Sequence, residues 1–122
     1  SGRWIRQLID EVGSSVPVIV FLRGAPAAID LLASSGARVV SVDWRQDLRK
    51  LRDRLPEKLA LQGNLDPAIL TMTPEIVAAE SRRLLESMRG TNGYIFNLGH
   101  GLSPESTLGN IEALVTTVRQ FR

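Results

Sequence analysis

The sequence has no cysteine, a single histidine and few aromatic residues, which make up 5% of its 122 positions. Without cysteine the chain has no disulfide framework, no thiolate nucleophile and no cysteine-based zinc site. The lone histidine, His100, also excludes a metal site built from several histidines. A chain of this composition is compatible with a reducing compartment, and we expect a cytoplasmic location.

Long apolar runs and blocks of one charge are also missing. The longest apolar stretch, residues 16–22, is too short to cross a bilayer, so no membrane segment is expected. Fifteen basic residues face thirteen acidic ones, and the arginines are interleaved with Asp and Glu, which does not favour nucleic-acid binding. Arginine grips carboxylates well, so an anionic small molecule remains a possible ligand.

Apolar, β-branched runs alternate with helical patterns along the whole chain. Strands are predicted at residues 17–22, 38–44, 58–65 and 94–98. Helices are predicted at residues 4–12, 26–35, 45–55 and 73–88, and after residues 103–105. This alternation predicts an α/β domain over residues 1–122, with four parallel strands joined by helices. The first strand reads as buried on both faces.

Apolar residues at helical spacing predict which helix faces point toward the core. In the helix at residues 26–35 these are Ile29, Leu31 and Leu32, with Gly36 as the end cap. Four residues of the last helix are predicted to face inward: Ile111, Leu114, Val115 and Val118.

Each predicted strand ends in polar or glycine-rich residues, although the strands themselves are apolar. Because the carboxyl ends of parallel strands share one edge, these groups should meet at a ligand-binding mouth. His100 lies there between Gly99 and Gly101, which allow a positive φ and close approach of a ligand or backbone. His100 either points into the site or is a turn residue whose ring bonds a backbone carbonyl.

Three other charged residues lie at predicted strand ends, and each has a structural or a functional interpretation. Asp43 is either a carboxylate that acts on substrate or a cap for the next helix, and the cap is favoured. Asp66 followed by Pro67 reads as a helix entry. Arg23 either binds an anion or is merely solvated. The sequence has no phosphate-binding glycine motif, so a nucleotide ligand is not expected.

Three segments of the chain are recognisable: "LALQGNLDPAIL" (59–70), "YIFNLGHGLSPES" (94–106) and "NIEALVTTVRQF" (110–121). They resemble the C-terminal part of the uroporphyrinogen decarboxylase family, and residues 16–44 are similar to the same family. The resemblance implies half of a (βα)8 TIM barrel, possibly opened into a flavodoxin-like sheet. It implies a cofactor-free enzyme that decarboxylates the acetate side chains of the tetrapyrrole uroporphyrinogen in haem biosynthesis.

Strand ends and resemblance together define the candidate site. The resemblance implies that His100 lines the substrate cleft, and we take it as the catalytic candidate. The substrate-binding candidates are Arg23, Asn64, Asn97, Gly99 and Gly101, and no metal is expected.

The family's substrate-binding aspartate and arginines come from the N-terminal half of the barrel, including an RQAGRY-like motif that this sequence lacks. The chain is therefore expected to be inactive alone. Its open sheet edges need cover from a homodimer, a flattened sheet or a complementing N-terminal half. The alternative is a non-catalytic α/β folding module or engineered half-barrel, with weak anionic small-molecule binding at most.

Overall fold

A computed structural model describes residues 2–24 and 26–122. These residues form five α-helices and four strands. The helices are α1 (Gly2–Val12), α2 (Ile29–Ala33), α3 (Leu48–Arg54), α4 (Pro74–Ser87) and α5 (Leu108–Gln120). The strands are β1 (Ile19–Phe21), β2 (Val39–Ser41), β3 (Ala60–Leu65) and β4 (Tyr94–Leu98). Short 3₁₀ turns at Pro26–Ala28 and Pro67–Thr71 precede α2 and α4.

The four strands form one parallel sheet whose order is that of the chain, β1-β2-β3-β4. Sequential parallel pairing with helical crossovers is the arrangement of an α/β barrel. The outer edges of β1 and β4 have no neighbouring strand in the described part of the chain. The predicted parallel α/β fold is confirmed, in the form of an open sheet consistent with half of a barrel.

The hydrophobic core lies on the face of the sheet that carries the helices. Its buried members are Ile29, Leu32, Val40, Val42, Leu48, Leu51, Leu55, Leu59, Leu61 and Met88. Val40 and Leu61 are register partners on adjacent strands, and both are fully buried. The aliphatic run of each strand thus supplies side chains to this layer.

The opposite face of the sheet is open, which corrects the prediction that the first strand is buried on both sides. Ile19 and Phe21 of β1 are 49% and 43% exposed, and Ile95 of β4 is 41% exposed. A β-branched run reads the same whether one or both faces are covered. Here helices cover one face only, so the second face keeps apolar side chains in contact with solvent.

Two predicted helix faces also differ from the structure. Leu31 is 45% exposed because α2 is a single short turn that directs Ile29 and Leu32, three positions apart, toward the core. Val115 is 43% exposed, whereas Ile111, Leu114 and Val118 are partly buried as expected.

The fully covered residues of α5 are instead the polar Asn110 and Thr117. The Asn110 amide explains this burial, since Nδ2 donates to the Leu70 and Met72 carbonyls over 2.9 and 2.8 Å. These two bonds fasten α5 to the 3₁₀ turn that follows β3.

Several helices begin at residues that can cap them, and one helix begins later in the sequence than predicted. Thr73 caps α4 through its side chain, with Pro74 in the first turn as predicted, and Asp66 caps the 3₁₀ turn that begins at Pro67. The last helix starts later than predicted. Residues 103–106 form a turn, and Thr107 accepts a hydrogen bond from the Asn110 backbone N–H at 3.2 Å.

Candidate functional site

The strands run parallel, so their carboxyl ends lie at one edge of the sheet, and a cavity of about 300 Å³ opens there. It is lined by Ile19, Phe21, Ser41, Gln62, Asn97, Leu98, Gly99, His100 and Gly101. These residues come from all four strands and from the segment after β4. The histidine thus shares the cavity with three apolar strand residues and three neutral polar side chains.

The histidine ring is partly exposed in this cavity and is oriented by one hydrogen bond. Nδ1 of His100 lies 3.0 Å from the carbonyl oxygen of Gly101. A carbonyl can only accept, so Nδ1 must carry the hydrogen and Nε2 is the nitrogen left for a ligand. The ring therefore bonds a backbone carbonyl and also lines the cavity, while its role toward a substrate stays a prediction.

The two glycines beside His100 have different surroundings. Neither has a positive φ, so the expectation of left-handed backbone there is wrong. At Gly99 the backbone of another segment does lie close, since an added Cβ would be 2.6 Å from Trp44 Cβ and 2.8 Å from its Cα. At Gly101 no described atom would lie within 4 Å of such a Cβ.

Two polar residues on the open face were missed by the sequence analysis as site residues. Ser41 and Gln62 are register partners on β2 and β3, and Nε2 of Gln62 donates to Oγ of Ser41 over 3.1 Å. The sequence does contain a signal for them, because successive side chains of a strand point to opposite faces of the sheet. Ser41 follows the buried Val40, and Gln62 follows the buried Leu61, so both point away from the core.

The two asparagines predicted to bind substrate occupy different surroundings. Asn97 is exposed and lines the cavity, while its Oδ1 accepts from the Leu98 backbone N–H at 2.8 Å. Asn64 is 7% exposed, and its Nδ2 donates to the carbonyls of Asp43 and Gln46 over 3.0 and 2.7 Å. The Asn64 side chain therefore fastens the loop that follows β2 and is not among the described residues lining the cavity.

The buried carboxylate of Asp43 has a structural role. It accepts from the backbone N–H groups of Gly24 at 3.2 Å and Arg45 at 3.0 Å. It ties the loop after β1 to the loop after β2, whereas Asp47 is the residue that caps α3. Arg23, beside Gly24, is exposed and does not belong to the described lining of the cavity.

Tyr94, at the start of β4, reaches the backbone of the neighbouring strand β3. Its hydroxyl donates to the Gly63 carbonyl over 2.8 Å. Burial raises the pKa of the Tyr94 phenol well above its ordinary value. The phenol therefore stays protonated and serves as a hydrogen-bond donor.

A second, larger cavity of about 460 Å³ lies at the opposite, amino edge of the strands, where Arg38 and Lys58 are among its lining residues. In α/β barrels that edge serves stability, whereas ligands bind at the carboxyl edge, so the cavity with His100 is the better site candidate. Among the described residues no three His, Asp or Glu side chains cluster as metal ligands. None of the described helices has the length and apolar character to cross a membrane.

Fold and cavity together are those of half of an α/β barrel with a cavity at the carboxyl ends of its strands. Residues 1–121 match the sequence model of the family described as Uroporphyrinogen decarboxylase (URO-D), and the chain belongs to this family.

Two curated relatives illustrate the match. A uroporphyrinogen decarboxylase from Magnetococcus marinus is 41% identical over 111 residues, which cover 91% of this chain and 31% of the relative. One from Syntrophotalea carbinolica is 42% identical over 117 residues, covering 95% and 34%. The chain thus spans about a third of the length of the curated relatives that it matches.

A solved structure supports the fold independently. A methyltransferase from Methanosarcina mazei superposes with a TM-score of 0.80 at 21% identity, over 98% of this chain and 35% of that protein. At this level of identity the likeness concerns the fold alone.

Proposed function

We propose that this chain forms half of the barrel of a uroporphyrinogen decarboxylase and that the cavity around His100 is part of the substrate cleft. The observation that carries the proposal is the position of His100 at the carboxyl edge, in a cavity of about 300 Å³. In the proposed reaction each acetate side chain of uroporphyrinogen loses its carboxylate as CO₂. A proton takes its place on the methylene carbon, which becomes a methyl group.

His100 is the proposed catalytic residue. The bond from Nδ1 to the Gly101 carbonyl holds the ring, so that Nε2 is the nitrogen that faces substrate. In the imidazolium form Nε2 carries a proton that it can donate to a carboxylate or to the reacting carbon. Asn97, Gly99 and Gly101 lie beside it as substrate contacts, while Arg23 and Asn64 remain predicted contacts outside the lining.

The mechanism requires no cofactor, since decarboxylation can proceed with a proton donor and fixed hydrogen-bond donors in a dry cleft. Four strands form only one wall of such a cleft. We therefore expect the chain alone to be inactive and to need a second set of four strands. A cytoplasmic location belongs to the same proposal, because the chain has no cysteine for an oxidising compartment to pair.

Exposed apolar surfaces support a covering partner. Trp4 and Leu8 of α1 are 59% and 62% exposed, and the open sheet face exposes Phe21 and Ile95. An apolar cavity of about 290 Å³ also lies between β4 and α5, next to the unpaired edge of β4. For the chain alone we propose a homodimer in which β1 of each copy pairs with β4 of the other. A complementing N-terminal half would use the same surfaces.

A chimera tests the catalytic proposal. The segment of the Syntrophotalea enzyme that matches this chain is replaced by residues 1–122, and release of CO₂ from uroporphyrinogen is measured. We expect turnover, and we expect His100→Asn to abolish most of it. Asparagine keeps a donor near the Gly101 carbonyl but has no counterpart of Nε2. The control is Asn92→Ala, an exposed substitution in the turn before β4.

Sedimentation and porphyrin titration of the chain alone complete the test. We expect a dimer, and saturable quenching of uroporphyrin fluorescence that weakens in the His100→Asn variant. A monomer would contradict barrel completion by a second copy. An inactive chimera together with a chain that binds no uroporphyrin would favour the alternative of a non-catalytic α/β module.

A further inference from the structure

One register row of the open face carries a polar pair between two apolar side chains. Phe21 is opposite Ser41, Ser41 opposite Gln62, and Gln62 opposite Ile95. Phe21 and Ile95 are 43% and 41% exposed. A serine and a glutamine at the centre of this apolar row require an explanation, because apolar side chains there would cover the same surface without desolvating polar groups.

The hydrogen bond within the pair leaves donors available to a ligand. Oγ of Ser41 accepts from Nε2 of Gln62, so its own hydroxyl hydrogen must point elsewhere. Among the described residues no acceptor for that hydrogen and no partner for the second Nε2 hydrogen is found. Ser41 is only 6% exposed, and both residues line the cavity that contains His100. Both donors therefore face the cavity, where a ligand that supplies acceptor oxygens can bond them.

We propose that Ser41 and Gln62 form a neutral hydrogen-bonding subsite that receives an acetate carboxylate of the tetrapyrrole beside His100. This inference rests on the proposed function and assigns specificity to two residues of the same cavity. A carboxylate offers two acceptor oxygens to the hydroxyl and amide donors, and its charge strengthens both bonds. Phe21 and Ile95 flank the pair with apolar surface suited to the ring system of the ligand.

The subsite would also separate substrate from product. When the bound acetate loses CO₂ it becomes a methyl group, which cannot accept a hydrogen bond. The donors of Ser41 and Gln62 are then unpaired again, so the product is held less tightly than the substrate. A site built from arginine would give stronger binding, but this neutral pair gives discrimination with a smaller desolvation cost.

The test uses Ser41→Ala, Gln62→Leu and the double variant, in the chimera and in the chain alone. Each single change should raise KM for uroporphyrinogen and Kd for uroporphyrin by about tenfold, as for a hydrogen bond to a charged group. The value of kcat should change far less. The double variant should lose less than the product of the two single effects, because the pair acts as one unit. Coproporphyrin, which has methyl groups in place of acetates, should bind the variants and the parent alike.

Gln62→Glu gives a test that does not depend on a lost contact. The substitution keeps the length of the side chain and adds a negative charge, so it should weaken uroporphyrin binding more than Gln62→Leu does. Gln120→Leu, at the exposed end of α5, is the matched control. Circular dichroism checks that each variant is folded.

The possible outcomes distinguish a failure of the subsite from a failure of the proposed function. A parent protein that binds uroporphyrin, with folded variants that bind it equally well, overturns the subsite and leaves the proposed function standing. A parent that neither binds nor converts the tetrapyrrole overturns the proposed function and the subsite with it.

Discussion

Gly99 and Trp44 are in direct backbone contact, with room for a hydrogen but not for a methyl group on the Cα of Gly99. A Cβ there would lie 2.8 Å from Trp44 Cα, which belongs to the loop after β2. The contact joins the segment that carries His100 to a neighbouring strand end. It thereby fixes one side of the mouth in which the histidine lies.

Gly99→Ala should therefore destabilise the fold by about 1–3 kcal/mol, the usual cost of forcing extra volume into a packed site. Urea unfolding followed by tryptophan fluorescence measures it. Gly101→Ala is the matched control, because an added Cβ there would meet no described atom within 4 Å, and we expect no loss of stability. Equal urea midpoints for Gly99→Ala and Gly101→Ala would show that the contact between Gly99 and Trp44 does not restrict this position.

Asp43→Ala should cost roughly 2 kcal/mol, because it removes a buried carboxylate that accepts part-buried hydrogen bonds from the backbone N–H groups of Gly24 and Arg45. Asp53→Ala provides the comparison. The Asp53 side chain is 61% exposed and pairs with Arg49 on the surface of α3, so its loss should change the free energy of unfolding by less than about 0.5 kcal/mol. If both variants unfold at the same urea concentration, Asp43 does not join the two loops.

Asn110→Ala should also lower stability, by about 2 kcal/mol, since two carbonyls at the 3₁₀ turn lose their donor. The position is 2% exposed, so water cannot easily replace the amide. Thermal unfolding of Asn110→Ala beside the exposed Asn92→Ala checks this expectation. A melting temperature unchanged in both would show that Asn110 does not hold α5.

The loss of stability caused by Tyr94→Phe should depend on pH. Burial raises the pKa of the phenol in the folded protein above its ordinary value of 10.0. The unfolded chain releases this proton near pH 10, so the stabilisation is complete below that pH and is lost as pH rises toward the folded pKa. Below pH 10, Tyr94→Phe should be less stable by about 1 kcal/mol, the value of one hydrogen bond, and this gap should narrow above pH 10.

Urea midpoints of Tyr94→Phe and the unchanged chain, compared across that range, measure the effect. The chain has one tyrosine, so tyrosinate absorbance reports this group alone. A phenol that titrates at its ordinary pKa in the folded protein would refute the prediction.

The parts of the fold that could be predicted depend on local sequence signals. Thr73 and Pro74 mark the start of α4, and residues 94–98 are found as β4, because capping and apolar runs act over a few residues. A cavity at one edge of the sheet could be predicted because parallel strands bring their carboxyl ends to the same edge. His100 lines the cavity at that edge, and its role toward a substrate stays a prediction.

What could not be predicted depends on contacts between distant segments. The apolar run of β1 gave no sign that one of its faces is open, because that depends on which elements cover the sheet. The burial of Asn110 depends on carbonyls forty residues earlier in the chain. Ser41 and Gln62 became site candidates only once the register between β2 and β3 was known.

The chain-order arrangement of the strands has a consequence for local opening. Each strand bonds only to its neighbours in sequence, so cooperativity passes from unit to unit along the chain. At one end β1 is three residues long and pairs on one side only, and none of the eleven described residues of α1 is buried. Amide hydrogens of α1 and β1 should accordingly exchange with deuterium well before those of β3, which is bonded on both sides. A single copy of the chain is therefore expected to unravel from its N-terminal unit inward while β3 retains its protection, and pairing of β1 with β4 of a second copy would slow this exchange.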